Sequence, residues 1–170
     1  MNRVAVLGPG RIGRQIALAF ALGGHRVALI DVKSRPAGGA DVVFADARRE
    51  IARDLQLMAD ESVIARGEIA PALERVVDQV GLEGLGECAF VQEALPELVD
   101  LKRDVLGRVS RLVAPEAIIA STSSTISPKH LGDAISGAER FLVVHWLNPA
   151  HIIPLVEVVP GQATSAAVVE

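Results

Sequence analysis

A strand, a glycine-rich loop, a helix and a second strand follow one another within the first 31 residues, and this succession limits the fold more than any other feature. Val4 to Leu7 is an apolar run that ends at Gly8, as is typical of a buried parallel strand. His25 to Asp31 is a second such run. Between them, a helix that ends at Gly23-Gly24 is predicted from apolar residues spaced by four: Ile12, Ile16 and Phe20. Strands joined by a helix favour a parallel sheet with helices packed against it.

The loop between the first strand and the helix reads Gly-Pro-Gly-Arg-Ile-Gly. Gly8 permits the tight turn out of the strand, Gly10 lets a pyrophosphate approach the backbone, and Gly13 lets the helix pack closely on the sheet. Arg11 and Ile12 open the helix, whose free N–H groups and positive dipole end face the same pyrophosphate. The loop is therefore a predicted cofactor-binding site.

Three glycines at this spacing also occur in structural strand-to-helix turns, so the surrounding sequence has to decide between the two interpretations. The loop follows a strand, opens a helix, and precedes Asp31, which ends the second strand 18 residues beyond Gly13. An acidic side chain there accepts hydrogen bonds from the ribose hydroxyls and repels a 2′-phosphate, which predicts NAD rather than NADP. Lys33 and Arg35 would soften this preference, but we interpret them as part of a solvated loop.

The remainder of the chain continues the alternation of helices and strands. Two helices are predicted from their apolar residues, which are Ala47, Ile51, Leu55 and Met58 in the first and Leu98, Leu101, Val105 and Leu112 in the second. Pro71 is expected to interrupt any continuation of the first helix. Strands are predicted over 76–80, 88–91, 117–120, 141–146 and 155–159, and a short helix over 129–135.

The pattern contains no linker and no internal repeat. We therefore predict one domain over residues 1–170, an α/β fold with a doubly wound, mostly parallel Rossmann-type sheet and helices on both faces. Thr164 and Ser165 would cap a last helix, of which residues 165–170 are the start. Half of the residues are hydrophobic, 3% are aromatic and none is Tyr, so the core is expected to be aliphatic.

Charge, cysteine content and hydropathy argue against several classes of function. The net charge is −4 and the basic residues are scattered, so no nucleic-acid partner is expected. Cys88, the single cysteine, lies in an apolar run that predicts a buried thiol and neither a disulfide nor a metal site. No apolar stretch approaches the roughly 20 residues of a membrane span. Met1 leads directly into a strand without a signal peptide, so a cytoplasmic protein is expected.

Polar residues that could carry chemistry follow the strands of the second half. Glu157 lies among apolar residues, where a buried carboxylate needs a partner, and His145 at the end of a strand is a natural one. A carboxylate fixes the tautomer of a histidine and stabilises its imidazolium, which suits a general base for an alcohol. Alternatively, His145 is a core histidine, Glu157 is an edge-strand carboxylate in solvent, and the hydroxyl cluster Ser121–Thr125 caps the helix after Pro128.

Three segments besides the glycine loop carry a resemblance to a known family. They are EALPELVDLK from Glu93 to Lys102, IASTSS from Ile119 to Ser124, and HWLNPAHIIPLVE from His145 to Glu157. Together they resemble the NAD-binding domain of the L-3-hydroxyacyl-CoA dehydrogenase family over nearly the whole chain. The wording IPLVEVV over 153–159 is similar to the branch of lambda-crystallin, L-gulonate 3-dehydrogenase and carnitine dehydrogenase.

The resemblance implies roles for the polar residues. His145 would take the proton of a substrate hydroxyl while a hydride passes to the nicotinamide, and Glu157 would orient His145. Ser124 would bind the reacting oxygen, and Asn148 would lie near the cofactor and the substrate carbonyl. The resemblance also places Glu97 and Lys102 along the nicotinamide side of the cofactor. Taken alone, these last two residues could equally be a solvated helix pair.

The implied reaction is the NAD-dependent oxidation of a 3-hydroxy acid or its thioester, as in fatty acid metabolism. No lysine cluster supports acyl-CoA binding, since Lys33, Lys102 and Lys129 are far apart, and Arg48, Arg49 and Arg53 fit a solvated helix face. Family members continue into a helical C-terminal domain that this chain lacks. We expect a fragment, a homo-oligomer or a separate helical-domain chain. Two other functions stay open: an NAD-binding module without catalysis, and a structural protein such as a lens crystallin.

Overall fold

A computed structural model describes residues 3–170, so Met1, on which the expected lack of a signal peptide depends, lies outside the described residues. The strands are β1 (Arg3–Leu7), β2 (Arg26–Asp31), β3 (Val76–Val80), β4 (Phe90–Glu93), β5 (Ile118–Ser121), β6 (Phe141–Trp146) and β7 (Val156–Pro160). The helices are α1 (Arg11–Leu22), α2 (Gly39–Asp60), α3 (Ile69–Arg75), α4 (Val99–Val109), α5 (Pro128–Gly132) and α6 (Ala166–Val169).

All seven strands form one sheet in the order β3-β2-β1-β4-β5-β6-β7. Every neighbouring pair is parallel except β6 and β7, which are antiparallel. The predicted doubly wound, mostly parallel Rossmann-type sheet is therefore confirmed. The chain direction across the sheet reverses between β1 and β4, and ligands of such sheets bind beyond the carboxyl ends of the strands at this point.

Side chains of the central strands alternate between two cores, one on each face of the sheet. On one face, Val4 and Val6 pack with residues of α1, α2 and α3. On the other face, Ala5 and Leu7 pack with residues of α4 and α5. Both cores are mainly aliphatic, as the composition predicts. The helices thus cover both faces and leave the loops at the strand ends to form a binding crevice.

The predicted helices and strands are present, but two predictions about the helices are wrong. Pro71 does not mark a break, since it lies in the first turn of α3, where its missing N–H has no intrahelical acceptor in any case. Leu98 and Leu112 are exposed and flank α4 instead of joining its buried face. The helical spacing of apolar residues misassigns them because α4 begins after Leu98 and ends before Leu112.

The strands predicted over 76–80 and 141–146 are confirmed at both ends, and the boundaries of the other strands are shifted by one or two residues. Cys88 lies before β4 and is buried, as expected for an inert thiol, and burial raises its pKa. Arg48 is not simply part of a solvated face, since its Nε lies 2.6 Å from Oδ2 of Asp78 on β3. The Thr164 hydroxyl accepts the Gly161 N–H at 2.7 Å instead of capping α6. Within residues 3–170, no helix combines the length and apolarity needed to cross a membrane.

Candidate active site

The glycine loop between β1 and α1 has the steric requirements that its sequence predicts. Gly8 has φ +104°, and a Cβ there would lie 2.7 Å from the Ala94 carbonyl oxygen. A Cβ on Gly13 would lie 1.9 Å from the Gly8 carbonyl oxygen. A Cβ on Gly10, by contrast, would meet no heavy atom within 4 Å among the described residues. Two glycines therefore permit close packing, and the third leaves backbone open to a ligand.

Two clefts flank this loop at the carboxyl ends of the strands. The first, here called the β2 cleft, has a volume of about 460 Å³ and is lined by Gly8, Gly10, the segment Asp31–Arg35, and residues of α4. The second, the β6 cleft, has a volume of about 320 Å³ and is lined by Ile12 and by loops after β4, β5 and β6. Ala94 and Leu95 line both clefts, so the two spaces adjoin along the loop after β4.

Asp31 is the last residue of β2, as predicted, and is 3% exposed. Its Oδ1 accepts the backbone N–H of Lys33 at 3.2 Å, and its carboxylate forms an ion pair with Arg35. The interpretation of Arg35 as a residue of a solvated loop is therefore wrong. The Arg35 side chain is held in the wall of the β2 cleft because the nearly buried Asp31 carboxylate needs a counter-charge.

The β6 cleft gathers most of the residues to which the sequence assigns catalysis. Ser124, His145 and Asn148 line it together with Glu97 and Ile12. These residues come from four different segments of the chain, and parallel strands bring their carboxyl ends to one edge of the sheet. Arg11, the first residue of α1, is exposed beside the loop. The structure thus brings together residues that lie up to 136 positions apart, from Ile12 to Asn148.

His145 and Glu157 form a pair across the antiparallel β6 and β7. The two residues are directly opposite in the strand register, and His145 Nδ1 lies 2.7 Å from Glu157 Oε2. A carboxylate can only accept, so Nδ1 carries the proton and Nε2 is left as the acceptor of the neutral ring. The side chain of Glu157 is 61% exposed, so its expected burial is wrong. It is an edge-strand carboxylate that nevertheless holds the histidine.

A buried ion pair joins Glu93 to Lys102. Glu93 was not predicted as a functional residue. Glu93, the last residue of β4, is fully buried and lies 2.7 Å from Lys102 Nζ on α4. Lys102 Nζ also lies 3.3 Å from Glu97 and donates to the Leu95 carbonyl at 3.1 Å. Lys102 is fully buried, so Glu97 and Lys102 are not a solvated helix pair. A carboxylate that ends an apolar strand run was the available signal for Glu93.

Glu97 connects this ion pair to the hydroxyl cluster after β5. Its Oε1 accepts hydrogen bonds from Ser123 Oγ at 2.5 Å and from the N–H groups of Ser124 and Thr125 at 3.1 Å each. The cluster is therefore held by Glu97 and does not cap the helix after Pro128. Burial tends to raise the pKa of Glu97, but these hydrogen bonds and the charge of Lys102 outweigh it and lower the pKa to about 2.

Two glutamine side chains bind residues on either side of Asn148. The Gln15 side chain on α1 accepts the N–H of Ala150 at 3.1 Å. The buried Gln92 on β4 accepts the indole N–H of Trp146 at 3.2 Å. Neither residue was predicted, because a single glutamine in a helix or strand carries no sequence signal of a distant partner.

This geometry is typical of a dinucleotide-binding domain: a glycine loop at a sheet reversal and an acidic residue at the end of β2, here with a His–Glu pair beside the second cleft. Comparison with known families agrees, since residues 3–170 match the family described as 3-hydroxyacyl-CoA dehydrogenase, NAD binding domain. The chain belongs to this family. The resemblance inferred from sequence and the prediction of NAD as cofactor are thereby confirmed.

Individual relatives support the same family. The chain is 32% identical to 3-hydroxybutyryl-CoA dehydrogenase of Bradyrhizobium diazoefficiens, over 100% of the chain and 56% of the relative. It is 33% identical to lambda-crystallin of Oryctolagus cuniculus, over 98% of the chain and 51% of the relative. The structure of (S)-3-hydroxybutyryl-CoA dehydrogenase from Ralstonia eutropha superposes with a TM-score of 0.90 at 29% identity, covering 99% of this chain and 57% of that one. The chain thus spans about half the length of these relatives.

Gly13→Ala should lower the stability of the fold, whereas Gly10→Ala should weaken cofactor binding. The Gly13 methyl group collides with the Gly8 carbonyl, so this variant should lose about 1–3 kcal/mol of unfolding free energy, measured by urea denaturation. The Gly10 methyl group has space in the protein, so stability should be retained while NADH binding, measured by calorimetry, weakens. Equal destabilisation by both substitutions would contradict the assignment of Gly10 to the pyrophosphate.

Glu93→Gln should destabilise the fold strongly, because it leaves the buried Lys102 ammonium with a single carboxylate at 3.3 Å. Breaking a buried pair costs about 3–5 kcal/mol, and we expect the lower end of this range. The matched control is Glu87→Gln, whose carboxylate is 76% exposed and pairs with Arg3, and which should cost less than about 1 kcal/mol. Similar unfolding free energies for the two variants would contradict the structural role of Glu93.

Acid should remove the stabilisation that Glu97 provides. The pKa of Glu97 is lowered from 4.5 to about 2 in the folded protein, so its contribution is present above pH 4.5 and is lost as the pH falls toward 2. Urea unfolding of the wild type and of Glu97→Gln should therefore show a stability difference that narrows across this window. Glu116→Gln removes an exposed carboxylate before β5 and should show no narrowing of the stability difference in this window. A difference independent of pH would argue against the lowered pKa.

Proposed function

We propose that this chain is the NAD-binding half of a dehydrogenase that oxidises a 3-hydroxyacyl thioester, or a related 3-hydroxy acid, to the 3-oxo compound. His145 acts as the general base. The observation that carries this proposal is the pair of His145 and Glu157, which lies beside a cleft that also contains Ser124 and Asn148. A domain that only bound a nucleotide would have no need for this combination.

The cofactor site fits the two adjoining clefts. Gly10 leaves open space for the pyrophosphate next to the start of α1, while Asp31 offers a carboxylate at the β2 cleft for the adenine ribose. The nicotinamide end would then reach the β6 cleft past Ile12, alongside Glu97. NAD, when bound, supplies the acceptor for a hydride from the substrate carbon.

His145 supplies the complementary proton acceptor. Its Nε2 takes the hydroxyl proton of the substrate as the C–H hydrogen leaves with its electron pair, so that a carbonyl forms. Glu157 holds Nδ1–H and stabilises the positive imidazolium that results. Ser124 and Asn148 offer hydrogen bonds to the reacting oxygen and to the neighbouring carbonyl of the substrate. In the reverse direction, the same imidazolium returns the proton to the forming alcohol.

The names of relatives suggest the substrate class, and the positions of the lysines bear on whether CoA can bind. One relative carries the name 3-hydroxybutyryl-CoA dehydrogenase, which favours a short 3-hydroxyacyl thioester and a place in fatty acid metabolism. Lys102 is fully buried and so is not available to CoA phosphates. The resemblance of residues 153–159 to the branch that contains L-gulonate 3-dehydrogenase favours the alternative of a free 3-hydroxy acid.

A second candidate function is an NAD-binding module without catalysis of its own. It is favoured by the match of residues 3–170 to the NAD binding domain of the family. In this case, a second copy or a separate helical chain would complete the substrate site. NAD reduction by the chain with L-gulonate, carnitine and 3-hydroxybutyryl-CoA, beside a direct NAD titration, separates the two functions. Binding with no turnover of any substrate would favour the module.

Glu157→Gln should lower the turnover number about a hundredfold or more, because the amide cannot stabilise the imidazolium of His145. NADH affinity, measured by calorimetry, should change little, since Glu157 itself lines neither the β2 cleft nor the β6 cleft. The control is Glu116→Gln, an exposed carboxylate before β5, which should retain full turnover. A near-normal rate for Glu157→Gln would remove Glu157 from the mechanism.

A further inference from the structure

The carboxylate of Asp31 is already occupied by donors of the protein. Arg35 Nε pairs with its Oδ2, while Oδ1 accepts the Lys33 N–H at 3.2 Å and Arg35 Nη2 at 3.4 Å. A carboxylate has about four lone-pair sites, so three of them are engaged. The ribose diol of NAD therefore meets a carboxylate whose hydrogen-bonding capacity and charge are shared with Arg35.

The charge balance at this end of the β2 cleft differs from that of a bare acidic residue. A bare Asp31 would present one negative charge to the 2′ position of the ribose and repel a phosphate there. Arg35 neutralises that charge, and Lys33 adds a further positive charge to the same wall. The other ionic side chains of the cleft, Asp104 and Arg108, lie 3.5 Å apart on α4 and offset each other.

We infer that Arg35 is a specificity-determining residue of the cofactor site. Its guanidinium binds the Asp31 carboxylate oxygens to which the ribose diol would donate. It also reduces the electrostatic repulsion between Asp31 and a 2′-phosphate. The selectivity for NAD over NADP is therefore set by the Asp31–Arg35 pair and not by Asp31 alone. NAD remains the cofactor, and a 2′-phosphorylated dinucleotide binds measurably because a guanidinium is a good phosphate partner.

Calorimetric titration of NADH and NADPH into wild type and Arg35→Gln tests this inference without any turnover. We expect the ratio of the NADPH Kd to the NADH Kd to rise about tenfold in the variant, since Asp31 then faces the 2′-phosphate without its counter-charge. The matched control is Arg108→Gln, which removes an arginine from the opposite wall of the same cleft and should change the ratio much less.

Thermal unfolding of each variant checks that the fold is retained. If Arg35→Gln does not fold, Arg35→Lys keeps the charge and should keep the wild-type ratio approximately. An unchanged ratio in Arg35→Gln, equal weakening of both nucleotides, or no NADPH binding to the wild type at millimolar concentration would each overturn the inference. The inference rests on NAD binding and not on catalysis, so a chain that binds NADH without turnover leaves it intact. A wild type that binds neither nucleotide overturns it.

Discussion

The buried ammonium group of Lys102 holds in place the segments that form both clefts. It lies between the carboxylates of Glu93 and Glu97, at 2.7 and 3.3 Å, and donates to the carbonyl of Leu95. This places α4, the end of β4 and the loop after it in one arrangement, because removing any partner leaves a buried charge poorly compensated. Through Glu97 the same network fixes the loop that carries Ser124. The walls of both clefts therefore depend on one ionic cluster.

The antiparallel strand β7 plays the corresponding part on the side of His145. Its register places Glu157 opposite His145, and a shift by one residue would turn the carboxylate to the other face of the sheet. As an edge strand, β7 leaves Glu157 mostly in solvent, so the histidine is oriented without the desolvation of a second charge. The buried cluster and the exposed pair thus approach the β6 cleft from two sides.

Features encoded within a few consecutive residues were predicted correctly. The glycine loop was assigned because each glycine answers a local steric need, and α2 was predicted because Ala47, Ile51, Leu55 and Met58 follow the helical period and are all buried. Local rules failed where position within an element matters. Pro71 breaks helices in general but is accommodated in the first turn of α3, which the sequence pattern does not distinguish.

The sequence by itself determined the doubly wound α/β fold and the glycine loop, because periodicity and glycine spacing are local properties. The roles predicted for Ser124, His145 and Asn148 came from the family resemblance and not from spacing. Only the tertiary structure decided which charges meet. It paired Arg35 with Asp31, buried Lys102 between two carboxylates, and joined Glu97 to the hydroxyl cluster instead of leaving it in solvent. The physical reason is that a charge finds its partner through the packing of distant segments, and sequence spacing carries no measure of that distance or of burial.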